Sequence, residues 1–133
     1  MSDLYQQVLL EELSNPQNKG KISDADVSYR ALNASCGDDM TVFIKFDGDR
    51  TIEDIKWQGS GCAISQATMS LLSDKVKGKP LKEVLELQQQ DLEKLIGVDS
   101  ISSGRIKCLM LGLSAILKAL AQSVADTKNS SSD

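Results

Sequence analysis

Three cysteines and one aspartate are the residues of this chain whose types and positions suit chemistry. Cys36 lies in Ser35-Cys36-Gly37-Asp38, Cys62 follows Gly59-Ser60-Gly61, and Cys108 closes Arg105-Ile106-Lys107-Cys108. Thiolates are soft ligands that suit zinc and iron–sulfur chemistry, and three of them with one carboxylate make a donor set for a tetrahedral ion. The same thiolates can instead carry sulfur as a persulfide. Cys36 and Asp38 are close enough for one tight loop to aim both at a single ion, and Gly37 allows that turn at low steric cost. The chain has no histidine. His-based triads, His general acid–base catalysis and every His-containing metal site are therefore excluded.

Each cysteine falls at a joint between expected elements. Cys36 sits in a turn between two strands, Cys62 at the start of a helix after a glycine-rich turn, and Cys108 in the first turn of the last helix. Helix N-termini present unpaired N–H groups and the positive end of the dipole, which favours thiolate over thiol. Arg105 and Lys107 add positive charge beside Cys108. A plainer reading stands next to this one. A free cysteine is often a small buried hydrophobe, and Cys108 in an apolar helix or Cys62 among Gly, Ala and Ile fits that description. No pair of these cysteines has compact Cys-x-x-Cys spacing. The residues alone leave a shared site and separate core positions both open.

The elements that must position them are readable from periodicity. Leu4, Val8, Leu9 and Leu13 recur at helical spacing, and Asn15-Pro16-Gln17-Asn18-Lys19-Gly20 ends that helix. Residues Val27 to Leu32 suit a first strand. Met40 to Phe46 suits a second, with Val42, Ile44 and Phe46 alternating onto one face. Asp47-Gly48-Asp49 turns the chain into a third strand from Thr51 to Gln58, where Ile55 and Trp57 alternate. A helix follows Cys62 with Ile64, Ala67, Thr68, Leu71 and Leu72 on one side, and shorter helical stretches are expected near Leu81–Leu87 and Asp91–Leu95. Gly97 to Gly104 is expected to be a polar loop. The last helix is expected from Arg105 to Gln122, its buried stripe formed by Ile106, Leu109, Leu113, Ile116, Leu117 and Leu120. The order predicts an α+β domain: a three-stranded antiparallel sheet with helices packed on one face. Residues 1–124 would form this domain and 125–133 a disordered polar tail rich in Ser, Asn and Asp.

Composition narrows the function classes. The 133 residues are 41% hydrophobic and 26% charged with net charge −4, the balance of one soluble globular domain. Aromatics are 4%, so the core is built from Leu, Ile, Val, Ala and Met. No basic stripe interleaved with aromatics is present, which gives nucleic-acid binding no support. No apolar run approaches the roughly 20 residues that span a bilayer, and the start, MSDLYQQVLLEEL, lacks the pattern of a signal peptide. A cytoplasmic protein is expected, and an odd cysteine count in a reducing compartment argues against a disulfide framework.

Four segments together resemble the family of iron–sulfur cluster assembly scaffolds that includes IscU, SufU and the N-terminal domain of NifU. They are Asn15-Pro16-Gln17-Asn18-Lys19-Gly20, Ser35-Cys36-Gly37-Asp38, Gly59-Ser60-Gly61-Cys62-Ala63-Ile64-Ser65 and Arg105-Ile106-Lys107-Cys108, in family order over roughly residues 4 to 122. The resemblance implies an IscU-like fold and a ligand set of Cys36, Asp38, Cys62 and Cys108, with Asp38 the labile carboxylate. It implies either a transient [2Fe–2S] cluster or Zn2+ as the group held. A cysteine desulfurase is the implied sulfur donor, Cys108 or Cys36 the persulfide acceptor, and apo iron–sulfur proteins the recipients. Ligand loops are expected to be mobile, since a scaffold must release what it builds.

Where IscU proteins usually place His before the third cysteine, this chain has Lys107, and with Arg105 that segment looks like SufU. The insertion typical of SufU between the second and third cysteines is missing, as in IscU. The Leu-Pro-Pro-Val-Lys segment by which IscU engages a dedicated Hsp70-type chaperone is replaced by Ile-Ser-Ser-Gly-Arg at 101–105, so chaperone-assisted release is left out of the expectations. Lys107 is expected either as a solvated charge or as a partner of Asp38 when the site is empty. Two functions follow. One is a non-enzymatic scaffold that assembles a cluster and passes it on. The alternative is a SufU-type zinc-dependent sulfurtransferase that accepts persulfide and stimulates the desulfurase. A purely structural zinc domain is disfavoured, because structural sites keep closed ligand sets.

Overall fold

The computed structural model describes residues 2–132 apart from Ser35, Cys36, Asp49 and 98–102, with side chains described over 6–122 outside those gaps. Helix α1 spans Ser2–Ser14, followed by strands β1 (Val27–Asn33), β2 (Asp38–Asp47) and β3 (Thr51–Ser60). Then come helices α2 (Ala63–Val76), α3 (Leu81–Leu85) and α4 (Gln89–Ile96), a 3-10 turn at Ser103–Arg105, and α5 (Ile106–Ser132). The strands form one antiparallel sheet in the order β1-β2-β3. The expected α+β architecture is the observed one.

Strand alternation explains which face is covered. Val27 and Ala31 of β1, Met40, Val42 and Ile44 of β2, and Ile55 and Trp57 of β3 are all buried, and the register pairs Val42 with both Tyr29 and Trp57. Helices α2 and α5 pack on this face, contributing Met69, Leu72, Leu109, Leu113 and Ile116 to the core. A register shift between Lys45 and Phe46 lets Ile52 join Ile55 on the buried side despite their odd separation. Burying a side chain of this size contributes about 1.5–3 kcal/mol, so the dozen largest buried side chains dominate the stabilisation.

The outer edge of β3 is covered by loops rather than by a strand. The Trp57 N–H donates to the Asn18 carbonyl at 3.0 Å, and the Gly20 N–H donates to the Trp57 carbonyl at 2.8 Å. Further along, the Ile52 N–H donates to the Lys79 carbonyl and the Gly78 N–H to the Ile52 carbonyl. These bonds satisfy edge groups that would otherwise invite pairing with another chain.

Three details differ from the sequence-based expectations. Strand β2 begins at Asp38, which lies in the sheet and not in the preceding turn. Helix α2 is buried on more than one side, since Ser65, Ser70 and Ser73 are buried along with its apolar residues while Leu71 is only half-buried. It lies among α1, α4, α5 and β3, and its serines find partners there. Helix α5 runs on to Ser132, past the expected end near Gln122 and into the segment expected to be a disordered tail. No Gly or Pro follows Gly112 to stop it. The expected polar loop from Gly97 to Gly104 lies largely outside the described residues, and no described helix is long and apolar enough to cross a membrane.

Candidate metal centre

At one end of the sheet three element ends meet. The register pairs Asn33 with Asp38 and Asp39 with Ser60, so the start of β2 lies between the end of β1 and the end of β3. Alternation sends neighbouring aspartates to opposite faces. Asp39 points outward, where its carboxylate accepts from Arg30 Nε at 3.0 Å and Nη2 at 2.7 Å. Those hydrogen bonds hold its carboxyl below the usual carboxylate range and raise the guanidinium in turn. Asp38 points inward and is 2% exposed.

A buried carboxylate needs donors, and Asp38 has them. Its Oδ1 accepts from the Cys62 backbone N–H at 2.9 Å and from the Ser65 hydroxyl at 3.2 Å. Its Oδ2 accepts from Asn33 Nδ2 at 3.4 Å. Cys62 is the N-cap of α2 and its own side chain makes no capping bond, so Asp38 caps this helix from another element. The backbone reaches Cys62 through Gly61, whose φ of +154° and contact with Asp38 both demand glycine. A Cβ at Gly61 would collide with Asp38 Oδ1 and stand 2.9 Å from Ser65 Oγ.

Cys108 is fully buried in the first turn of α5. The ligand atoms of Asp38, Cys62 and Cys108 all lie within 4.8 Å of one another. Ligand atoms around a tetrahedral zinc with bonds near 2.2 Å stand about 3.6 Å apart. Only small side-chain movements therefore separate these three donors from tetrahedral spacing, and two soft sulfurs with one hard oxygen suit zinc or iron. Burial alone pushes the Cys62 thiol up, but hydrogen bonds from the backbone and hydroxyl of Ser65 and from Cys108 outweigh it. The Asp38 charge also works against ionisation, and the net result is a thiol held below its ordinary range.

Of the four expected ligands the structure brings together Asp38, Cys62 and Cys108. Cys36 lies outside the described residues. Arg105 and Lys107 are both exposed. Of the two readings of Lys107, the exposed charge fits and pairing with Asp38 is not found: among the described residues the ion pairs are Arg30–Asp39, Lys45–Asp24 and Lys77–Asp54. Asp38 already has its oxygens on Cys62, Ser65 and Asn33. Sequence reasoning missed Ser65 and Asn33 as partners of the site. The placement of Ser65 three residues after a helix-starting cysteine is a capping-type spacing that points to it, whereas nothing local points to Asn33.

The chain belongs to the family described as "NifU-like N terminal domain", which it matches over residues 4–129. It is 33% identical to the zinc-dependent sulfurtransferase SufU of Bacillus subtilis, over 92% of each chain. It is 35% identical to the iron–sulfur cluster assembly scaffold protein IscU 1 of Archaeoglobus fulgidus, over 88% of this chain and 74% of the relative. A crystal structure from Fervidobacterium islandicum, assigned to iron–sulfur cluster assembly in the SUF system, superposes with a TM-score of 0.74 at 28% identity, covering 88% of this chain and 96% of that one. The alignment to SufU runs over 139 positions, more than this chain has residues, so that relative carries residues absent here. The archaeal IscU aligns over 117 positions with no such excess.

Proposed function

We propose that this chain is a scaffold on which an iron–sulfur cluster is built as cargo and then handed to acceptor proteins. The observation that carries this reading is the convergence of Asp38, Cys62 and Cys108 at the junction of β2, α2 and α5. Cys36, in the loop between β1 and β2, is the fourth donor in this reading, and residues 1–124 form the scaffold domain. A cysteine desulfurase supplies sulfur. The thiolate of Cys108 or Cys36 attacks the outer sulfur of the desulfurase persulfide, that S–S bond breaks, and the desulfurase cysteine leaves as thiolate. The sulfur then takes up two electrons from an added reductant to become cluster sulfide. The lowered Cys62 thiol supports a site already inclined to present thiolate. The protein would do this in the cytoplasm.

The test is anaerobic reconstitution with ferrous iron, cysteine, reductant and a cysteine desulfurase, followed by visible absorption and transfer to an apo-ferredoxin. Cluster absorption that needs Cys36, Cys62 and Cys108, and that moves to the ferredoxin, is the expected result. A second reading, a zinc-dependent sulfurtransferase, is favoured by the 33% identity to SufU and by Lys107 before Cys108. It requires tightly bound zinc, no cluster, and faster desulfurase turnover dependent on Cys108 or Cys36. The 35% identity to an IscU scaffold over 88% of this chain supports the scaffold.

A further inference from the structure

The two oxygens of Asp38 are not equivalent. Oδ1 accepts from a backbone N–H at 2.9 Å and from a buried hydroxyl at 3.2 Å, and it occupies the space a Cβ on Gly61 would take. Oδ2 has one long contact, 3.4 Å from the Asn33 amide. We infer that Asp38 ligates through Oδ2 alone, with Ser65 a positioning residue that pins Oδ1, and Asn33 a placeholder on Oδ2 that a metal displaces. This rests on the metal-centre reading given under Proposed function and assigns opposite roles to two residues on one carboxylate.

The geometry of Ser65 fits the role. Its side chain is fully buried, and its hydroxyl lies 3.2 Å from Asp38 Oδ1, 3.0 Å from the Cys62 carbonyl and 3.6 Å from Cys62 Sγ. A hydroxyl has one proton, so it donates to the carboxylate or to the carbonyl, while its lone pairs accept the Cys62 thiol proton. Donation to Oδ1 makes this hydroxyl the second donor, beside the Cys62 N–H, that holds that oxygen. Carboxylate ligands fixed by such outer hydrogen bonds typically lose about tenfold or more in metal affinity when the outer partner is removed. Asn33 acts in the other direction, because its amide occupies the oxygen that must turn to the ion.

The experiment is anaerobic titration of the apo protein with cobalt(II), read by thiolate-to-cobalt charge-transfer absorption, with competition by a chelator to obtain affinity. Ser65→Ala is expected to weaken cobalt binding about tenfold, whereas Asn33→Ala leaves the affinity unchanged or raises it. Far-UV circular dichroism and thermal melts confirm that both variants are folded. In an Asp38→Ala background, Ser65→Ala is expected to cost nothing further, which a merely structural serine would not do. Equal affinity of Ser65→Ala and wild type, a matching loss in Asn33→Ala, or a full Ser65 effect without Asp38 each overturns the inference. Wild-type protein that gives no charge-transfer band lost in Cys62→Ala and Cys108→Ala overturns the metal-centre reading as well. The inference alone falls when that band is present and Ser65 is silent.

Discussion

The backbone N–H of Cys62 donates to Asp38 Oδ1 at 2.9 Å across 24 residues of sequence. One carboxylate therefore closes the N-terminus of α2 and stands among the candidate ligands. The same helix end favours negative charge on both the carboxylate and the Cys62 thiol. Placing a carboxylate and a thiolate together would otherwise be unfavourable, since like charges repel. The arrangement makes the start of α2 the structural centre of the site.

Gly61→Ala is expected to damage the site more than any exposed glycine change. The new Cβ would meet Asp38 Oδ1 and Ser65 Oγ, and the φ of +154° is one that alanine rarely adopts. A destabilisation of about 2–3 kcal/mol is expected, measured by chemical denaturation, together with loss of high-affinity cobalt. Gly104→Ala, where nothing lies within 4 Å of the added atom, is the control and should leave both unchanged. Normal metal binding by Gly61→Ala would mean that Asp38 does not need its observed position.

Cys62 is expected to alkylate at lower pH than an ordinary thiol. Its pKa is lowered in the folded protein, so the reactive thiolate is populated as pH rises before an unperturbed cysteine ionises. The Ser65 hydroxyl is one of the groups that lower it, and Ser65→Ala should move the midpoint upward. Iodoacetamide labelling of metal-free protein across pH, read by mass spectrometry at Cys62, decides this. A midpoint in Ser65→Ala equal to or below that of wild type would show that the hydroxyl does not stabilise the thiolate.

Much of the fold was legible because its signals are local. The alternation of Val42, Ile44, Ile55 and Trp57 around Asp47-Gly48 marks a hairpin whichever partner the strands find, and all four side chains are buried. The joints carrying Cys62 and Cys108 were legible from glycines and helical periodicity. What depends on tertiary company was not. Asp38 belongs to β2 because Asn33 and Cys62 meet it there. The buried serines of α2 look like a solvated face until Glu12, Gln17 and Asn18 are placed against them. A register shift such as that at Lys45 and Phe46 has no local signature here.

The segment Asn15–Gly20, legible as a helix stop and a family motif, has a further physical task. Asn18 adopts φ of +60°, its carbonyl accepts from the Trp57 N–H, and its amide donates to Ser73 Oγ at 3.1 Å. Trp57 Nε1 donates to the Gln17 carbonyl at 2.8 Å, and the Gln17 N–H donates to Ser70 Oγ at 2.7 Å. The loop thus ties β3 to α2. Asn18→Ala loses both the side-chain bond and the tolerance for positive φ, and should cost about 1–2 kcal/mol. Asn18→Gly restores the backbone freedom and should cost less than alanine does. Urea denaturation of the two variants orders them, and a glycine variant less stable than the alanine one would refute the backbone part of this account.

Asp38→Ala separates the behaviour of a single ion from that of a cluster. In the metal-centre reading the carboxylate would hold cobalt(II) beside the thiolates, and its removal should weaken binding. A soft iron–sulfur cluster is mismatched to a hard oxygen donor, and in the empty site Asp38 has Cys62, Ser65 and Asn33 waiting as donors. In the proposed scaffold the bond from Asp38 to the cargo would therefore open first on release, its carboxylate returning to hydrogen bonds already in place. Alanine removes that step and leaves only thiolates holding the cluster. A reconstituted Asp38→Ala protein should lose its visible absorption several-fold more slowly than wild type on exposure to apo-ferredoxin, even as its cobalt affinity falls. Faster cluster loss in the variant would show that Asp38 anchors the cargo and does not release it.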